Sequence, residues 1–274
     1  ESILGDRRKV LRIIIKELET VADKYGMERK TKIISAEENA IVVEEEKVED
    51  YPVNLFFTKE GYFKKITPLS LRMGGEQKLK EGDEIKQSFE SQNSCDLLFF
   101  SDKCQVYKSR VSEFSDTKAS VLGEYIPSRL GFDEGENAIS VVATSKYQGY
   151  LVFVFENGRI SKVPLSAYAT KTNRKKLINA YSDKCPLSAI IYVESDCDIL
   201  LTSTNGRMLL VNTGALQAKV TKDNNGVAVM TQKKGQRIYS ATLYSEGMLS
   251  DPHRYRTRTL PAAGCIKREG ITGE

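Results

Sequence analysis

Residues that commonly carry chemistry are sparse in this chain. Its five cysteines are Cys95, Cys104, Cys185, Cys197 and Cys265. The number is odd and no C-x-x-C pair occurs. Cys95 and Cys104 lie nine residues apart and Cys185 and Cys197 twelve, which is not the spacing of a zinc knuckle. Scattered thiols point to a reducing compartment. His253 is the one histidine, and there is no tryptophan. One histidine leaves a single candidate base for Ser–His or Cys–His catalysis and argues against a His-based metal site on residue count alone. What recurs instead is lysine. Lys65, Lys108 and Lys162 each close a twelve-residue pattern. A repeated cation suits the binding of an extended anion.

Four windows line up without gaps: NLFFTKEGYFKK (54–65), LLFFSDKCQVYK (97–108), LVFVFENGRISK (151–162) and ILLTSTNGRMLL (199–210). Their eighth positions are Gly61, Cys104, Gly158 and Gly206, at intervals of 43, 54 and 48 residues. That is the length of one four-stranded propeller blade. Positions one to four are apolar in nearly every copy, as for a strand buried on both faces. Positions five to eight read as a hairpin turn in which glycine supplies a positive φ. Cys104 therefore reads as a turn residue that replaced glycine, and not as a reactive or metal-binding thiol. Position ten is apolar in each copy (Phe63, Val106, Ile160, Met208), and position twelve lies on the same face. Its lysines are expected to lay their stems along the blade and put the ammonium in water.

A second marker, EGDEI (81–85), EGENAI (134–139) and KGQRI (234–238), opens further β runs. The last implies a fifth, divergent blade, RIYSATLYSEGML. Before the repeats, DRRKVLRIIIKELETVADKYGMERKTK has helical period, with Asp6 as N-cap and Gly26 as C′ residue. The expected organisation is one helix over 1–32, then an all-β unit of about five blades of roughly four strands over 33–270. The 274 residues, 40% hydrophobic and 28% charged, can fill such a core. No apolar run approaches a membrane span, and the first residues lack a signal-peptide core. The formal charge of +4 says little about partners, so any electrostatic role must be local.

FFTKEGYFKKITPLS (56–70) resembles the first blade of the C-terminal domain of the type IIA topoisomerase A subunits, gyrase A and topoisomerase IV A. DLLFFSDKCQVYKSRVSEF (96–114) resembles the second blade of that domain. ILGDRRKVLRIIIKELETVADKYGMERKT (3–31) resembles the helix that closes the family's breakage–reunion core. The resemblance implies a β-pinwheel whose blades exchange strands. It implies three partners: duplex DNA, an ATPase B-type subunit, and the breakage–reunion core to which this domain is joined in one polypeptide. The setting would be bacterial, cytoplasmic and nucleoid-associated, with no membrane. ATP and Mg²⁺ would be used by the core together with its ATPase partner, with no cofactor in this segment. The family's catalytic tyrosine lies upstream of the helix, so this segment is expected not to cleave DNA alone. Gyrase proper carries a Q-R-R-G-G-K-G box after the first blade. Here that place reads SLRMGGEQK (70–78), which keeps Arg72, Gly74 and Gly75 and puts Glu76 in place of the lysine. The resemblance then favours relaxation or decatenation over supercoiling.

A duplex is a line of phosphates, and a curved row of cations suffices to hold it without reading sequence. The candidates are Lys64, Lys65, Arg72, Lys108, Arg110, Arg159, Lys162 and Arg207. Lys171, Arg174, Lys175 and Lys176 of the run TKTNRKK join them. The competing readings are lysines that only protect sheet edges, and a solvated loop at NRKK. The acidic stretch EENAIVVEEEKVED (37–50) either repels DNA from one sector or is a solvated strand edge. His253 with Arg254, Arg256 and Arg258 either touches phosphate or belongs to a divergent closing blade. A protein-interaction propeller of WD-repeat type is the alternative class; its Gly-His and Trp-Asp signatures are absent.

Overall fold

The computed structural model describes residues 6–27, 49–170, 175–257 and 259–267. The chain divides into two compact units, residues 1–47 and 48–274. The first contains helix α1 (Arg7–Tyr25). Asp6 caps it as expected, its carboxylate accepting from the Arg8 N–H at 3.0 Å. Gly26 ends it differently from the expected left-handed C′ residue. Its φ is −60°, and its N–H donates to the Ala22 carbonyl at 2.7 Å. Glycine is needed there for space, since a Cβ would sit 2.2 Å from that oxygen.

The second unit is built from short strands. In chain order they are β1 (Pro52–Thr58), β2 (Tyr62–Ile66), β3 (Ile85–Gln92), β4 (Asp96–Ser101), β5 (Val106–Arg110), β6 (Glu124–Tyr125), β7 (Ala138–Thr144) and β8 (Tyr150–Phe155). They continue with β9 (Arg159–Pro164), β10 (Lys176–Leu177), β11 (Leu187–Val193), β12 (Asp198–Ser203), β13 (Arg207–Asn212), β14 (Val227–Ala228), β15 (Ile238–Leu243) and β16 (Cys265–Ile266). Three short helices, α2 (Pro68–Met73), α3 (Ile126–Leu130) and α4 (Pro252–Tyr255), lie among them, where the sequence led us to expect one helix ahead of the strands.

The strands form four antiparallel sheets in a propeller-like arrangement: β3-β1-β2-β6, β7-β4-β5-β10, β11-β8-β9-β14 and β15-β12-β13-β16. Each of the four sequence windows supplies the central hairpin of one blade. The turn column holds: φ is +89° at Gly61, +55° at Cys104, +81° at Gly158 and +72° at Gly206. Cys104 therefore occupies the left-handed region that glycine adopts freely, at a conformational cost to a residue with a Cβ.

Among the described residues there are four blades where about five were expected. The marker KGQRI opens β15, the innermost strand of the fourth blade, just as EGDEI opens β3 and EGENAI opens β7. The marker begins the inner strand of a blade whose hairpin has already been made, so it does not announce a new blade. The strand exchange follows directly from the pairing. The outermost strand β6 comes after the second blade's hairpin yet pairs with β2 of the first, Tyr62 opposite Tyr125. In the same way β10 reaches back to β5 and β14 to β9.

Hairpin strands bury both faces, and each face feeds a different core. Leu97 and Phe99 join Leu55, Phe57 and Phe63 between the first and second blades. Leu98 and Phe100 join Leu151 and Phe153 between the second and third. A third core, with Val152, Val154, Ile199 and Leu201, joins the third blade to the fourth. The outer faces of the end blades are covered differently. Phe56 and Ile66 pack with Leu71 of α2, and Leu200, Met208 and Leu210 pack with Tyr255 of α4. The inner strands β3, β7, β11 and β15 line a channel of about 1210 Å³.

Phe99 is fully buried, with its ring centroid 5.3 Å from Phe63, 6.0 Å from Phe114 and 6.3 Å from Phe57. Phe99→Ala should lower the unfolding free energy by about 3–5 kcal/mol. Urea unfolding checks this, and a loss under about 1 kcal/mol would mean that the inter-blade core does not hold the blades together.

Candidate nucleic-acid interface

The lysine column does not reach solvent as expected. Lys65 and Lys162 are buried, with 3% and 6% exposure, and Lys108 is half-buried. The Lys65 ammonium donates to Asn93 Oδ1 at 2.9 Å, pairs with Asp116 at 3.0 Å and lies over the Tyr51 ring. The Lys162 ammonium donates to Asp196 Oδ1 at 2.6 Å and to the Thr213 carbonyl at 3.0 Å, over the Tyr150 ring. That hydrogen bond holds the Asp196 carboxyl below its usual range. Lys108 donates to Thr170 Oγ1 at 3.0 Å over the Tyr147 ring, and desolvation lowers its pKa. Lys64 is 1% exposed; it donates to the Lys78 carbonyl at 2.6 Å and Gln77 Oε1 at 3.1 Å, and burial lowers its pKa too. A buried charge has to be paired. These four ammonium groups already have partners inside the protein.

The arginines of position nine act on the exchanged strands. Arg159 donates from Nε to the Asn225 carbonyl at 2.8 Å and from Nη2 to the Gly226 carbonyl at 2.7 Å. Arg207 donates from Nη1 to the Gly264 carbonyl at 2.7 Å. Each clasps the segment that closes its blade and keeps only part of its surface free. Lys176 pairs with Asp133 at 2.7 Å over the Tyr107 ring, and the bond to Asp133 is the main cause that pushes its pKa up to about 12. Arg110 is exposed, 3.7 Å from Asp96. Arg72, in the last turn of α2, and Lys175, just before β10, are exposed. Lys171 and Arg174 lie outside the described residues, as do Arg258 and residues 37–48 of the acidic stretch. His253 is exposed, while Arg256 pairs with Asp198 at 2.5 Å.

The segments that lead to or from the outermost strands carry cations that the windows do not contain. Lys118 lies ahead of β6, Lys175 ahead of β10, Lys219 ahead of β14 and Lys267 just after β16. All four side chains are exposed, and none has an ion-pair partner among the described residues. Backbone contacts fix their positions. The Thr117 N–H donates to the Lys65 carbonyl at 2.7 Å, the Lys219 N–H to the Lys162 carbonyl at 2.9 Å, and the Lys267 N–H to the Gly206 carbonyl at 2.8 Å. A sequence signal for these segments exists in a second glycine column: Gly123, Gly226 and Gly264 stand two residues before Tyr125, Ala228 and Ile266. At Gly226 a Cβ would lie 2.3 Å from the Ile160 carbonyl oxygen, so the crossing strand approaches closer than a side chain allows.

Among the described residues, no group of three or more His, Cys, Asp or Glu is placed to hold a metal ion, and no helix is long and apolar enough to cross a membrane. The described cysteines are free thiols.

Four blades, three of them closed by a strand that returns from beyond the next hairpin, define a β-pinwheel with an exposed lysine on the segment leading to or from each outermost strand. No family model matches the chain. It is 27% identical over 221 residues to the DNA gyrase A subunit of Clostridium acetobutylicum, covering 77% of this chain and 26% of that protein. It is 30% identical over 195 residues to the DNA gyrase A subunit of Fibrobacter succinogenes, covering 66% and 21%. Among solved structures, a C-terminal domain of DNA topoisomerase IV aligns with a TM-score of 0.62 at 23% identity, over 73% of this chain and 64% of that one. The E. coli ParC C-terminal domain aligns with a TM-score of 0.59 at 12% identity, over 80% and 94%. These two likenesses bear on the fold. In sequence the chain is similar to DNA gyrase A subunits, and in fold to the C-terminal domains of topoisomerase IV. It spans about a quarter of the length of the curated relatives it matches.

Lys162→Ala should cost about 1.5–3 kcal/mol of stability, because it removes charged hydrogen bonds to a buried carbonyl and a carboxylate. It should leave the salt dependence of any DNA binding unchanged, whereas Lys219→Glu should change that dependence and leave urea unfolding nearly as it was. Equal effects of the two substitutions on DNA binding would show that Lys162 reaches the ligand after all.

Proposed function

We propose that this domain binds duplex DNA without sequence preference, bends it along the basic outer edge, and presents it to the cleavage core of a type IIA topoisomerase. The observation that carries this reading is the set of exposed cations with no ion-pair partner among the described residues, one on the segment leading to or from each outermost strand: Lys118, Lys175, Lys219 and Lys267. Arg72 and Arg110 extend it on the first two blades, and Arg174 belongs to the same sequence run as Lys175. Lys64, Lys65, Lys108 and Lys162 contribute to the architecture, and Arg159 and Arg207 to holding the crossing strands. Sequence similarity to DNA gyrase A subunits supports the choice of ligand.

Each neutralised phosphate releases counterions, so log K should fall with log salt by about 0.9 per contact. Four edge contacts predict a slope near −4, measured by fluorescence anisotropy on a duplex of tens of base pairs. Lys118→Glu, Lys175→Glu, Lys219→Glu and Lys267→Glu should each flatten the slope by about 0.9 or more. Salt-insensitive or absent binding would favour the alternative, a protein-interaction propeller.

The parent enzyme's activity is part of the same proposal. ATP and Mg²⁺ would be used by the core together with the B-type subunit, and the setting would be the bacterial cytoplasm with its nucleoid. The box remnant lies on and after α2, where Arg72 remains basic and exposed Glu76 replaces the lysine. A carboxylate there repels phosphate, which weakens a tight wrap. The full-length enzyme should therefore relax or decatenate DNA better than it supercoils. A gel assay on relaxed plasmid and linked circles decides this, and vigorous ATP-driven negative supercoiling would overturn it.

A further inference from the structure

The outermost strands share one position that the cation row does not explain. Tyr125, Ala228 and Ile266 pair with Tyr62, Arg159 and Arg207, the ninth residues of their windows. Ile178 falls at the same place, one residue beyond Leu177, which pairs with Val106. The position is apolar in all four blades, and it is exposed in all four: 39% at Tyr125, 66% at Ile178, 58% at Ile266, and exposed at Ala228.

Single apolar residues on a surface need no explanation. A position that stays apolar and exposed through every repeat is different, because outer sheet edges are normally protected by charge. Here the charge stands beside it. Lys175 and Lys176 precede Ile178, and Lys267 follows Ile266. Such an edge offers a small aliphatic contact flanked by cations. That suits a partner whose phosphates border a less polar groove.

We propose that Ile178 and Ile266 are apolar contact points for bent duplex, set into its minor groove where the wrapped DNA turns that groove toward the protein. This rests on the DNA-binding reading above. A duplex curved over a protein faces its minor groove inward about once per helical turn, and an aliphatic side chain set there packs against the sugar edges that line the groove without parting the base steps. The neighbouring cations hold the phosphates on either side of the groove. Ala228 is too short to enter the groove. Tyr125 is held against the Tyr62 ring, with centroids 5.3 Å apart. The two isoleucines, on the second and fourth blades, are left for this role.

The test is the double variant Ile178→Ser, Ile266→Ser in the intact chain. Anisotropy is measured over a range of salt, and energy transfer between dyes at the two duplex ends reports bending. The expected result is affinity lower by about ten-fold at every salt concentration with the slope unchanged, and reduced end-to-end transfer. Lys175→Glu, as control, should change the slope. The melting temperature should stay at the wild-type value, because neither side chain is buried. Wild-type affinity and bending in the double variant would overturn the proposal and leave DNA binding intact. So would self-association that the double variant loses while DNA binding is kept, which would assign the column to a second copy of the chain. Failure of the wild-type chain to bind duplex at all would overturn both readings.

Discussion

The structure depends on one constraint: the central strand of each blade is apolar on both faces. Leu97, Leu98, Phe99 and Phe100 are all fully buried, and alternate residues serve different cores. A blade of this kind cannot be covered from one side. It needs a neighbour on each face, as the units of a repeat protein do. The end blades have a neighbour on one side only, and α2 and α4 cover their other faces with Leu71 and Tyr255. The crossing strands add a second tie. Because β6 pairs with β2 after the second hairpin has formed, the first blade is complete only when the second is in place.

The buried lysines fit the same logic. Lys65 reaches Asn93 in the turn between β3 and β4, and Lys162 reaches Asp196 in the turn between β11 and β12. In both cases the ammonium ties a blade's hairpin to the link that starts the next blade. Lys108 lies over Tyr147, in the corresponding link ahead of β8. In the fourth blade no further blade follows among the described residues, and the column changes to Leu210, which packs in the end core. A cation over an aromatic ring and away from water is worth about 2 kcal/mol. The cost of burying the charge offsets part of this, so the lysine serves more to fix geometry than to add stability.

The hairpins were legible in the sequence because their pattern is local: four apolar residues, a turn with a positive φ, and an apolar tenth position. The blade count was not, because the markers EGDEI, EGENAI and KGQRI open inner strands and not blades. The outermost strands are two residues long and pair with residues 57–71 positions earlier, too short for any hydrophobic period to register. The burial of the lysine column was legible and was misread. Position twelve shares a face with the buried tenth position, and its fourth occupant is leucine. Both facts point inward; solvent was inferred only because lysine usually seeks it.

That reassignment moves the proposed binding surface from the hairpins to the segments around the outermost strands. A hairpin strand is covered on both faces by the cores and along one edge by the crossing strand, so its side chains have little room to meet a large ligand. The crossing segment lies outside it. It presents Lys118, Lys175, Lys219 and Lys267 to solvent while its backbone is fixed to the hairpin by hydrogen bonds to Lys65, Lys108, Lys162 and Gly206. The residues that complete each blade and the residues free to meet phosphate thus lie on one stretch of chain. A ligand that bridges neighbouring segments of this kind would stabilise the closed blades as well as occupy them, so binding there would be energetically linked to blade closure.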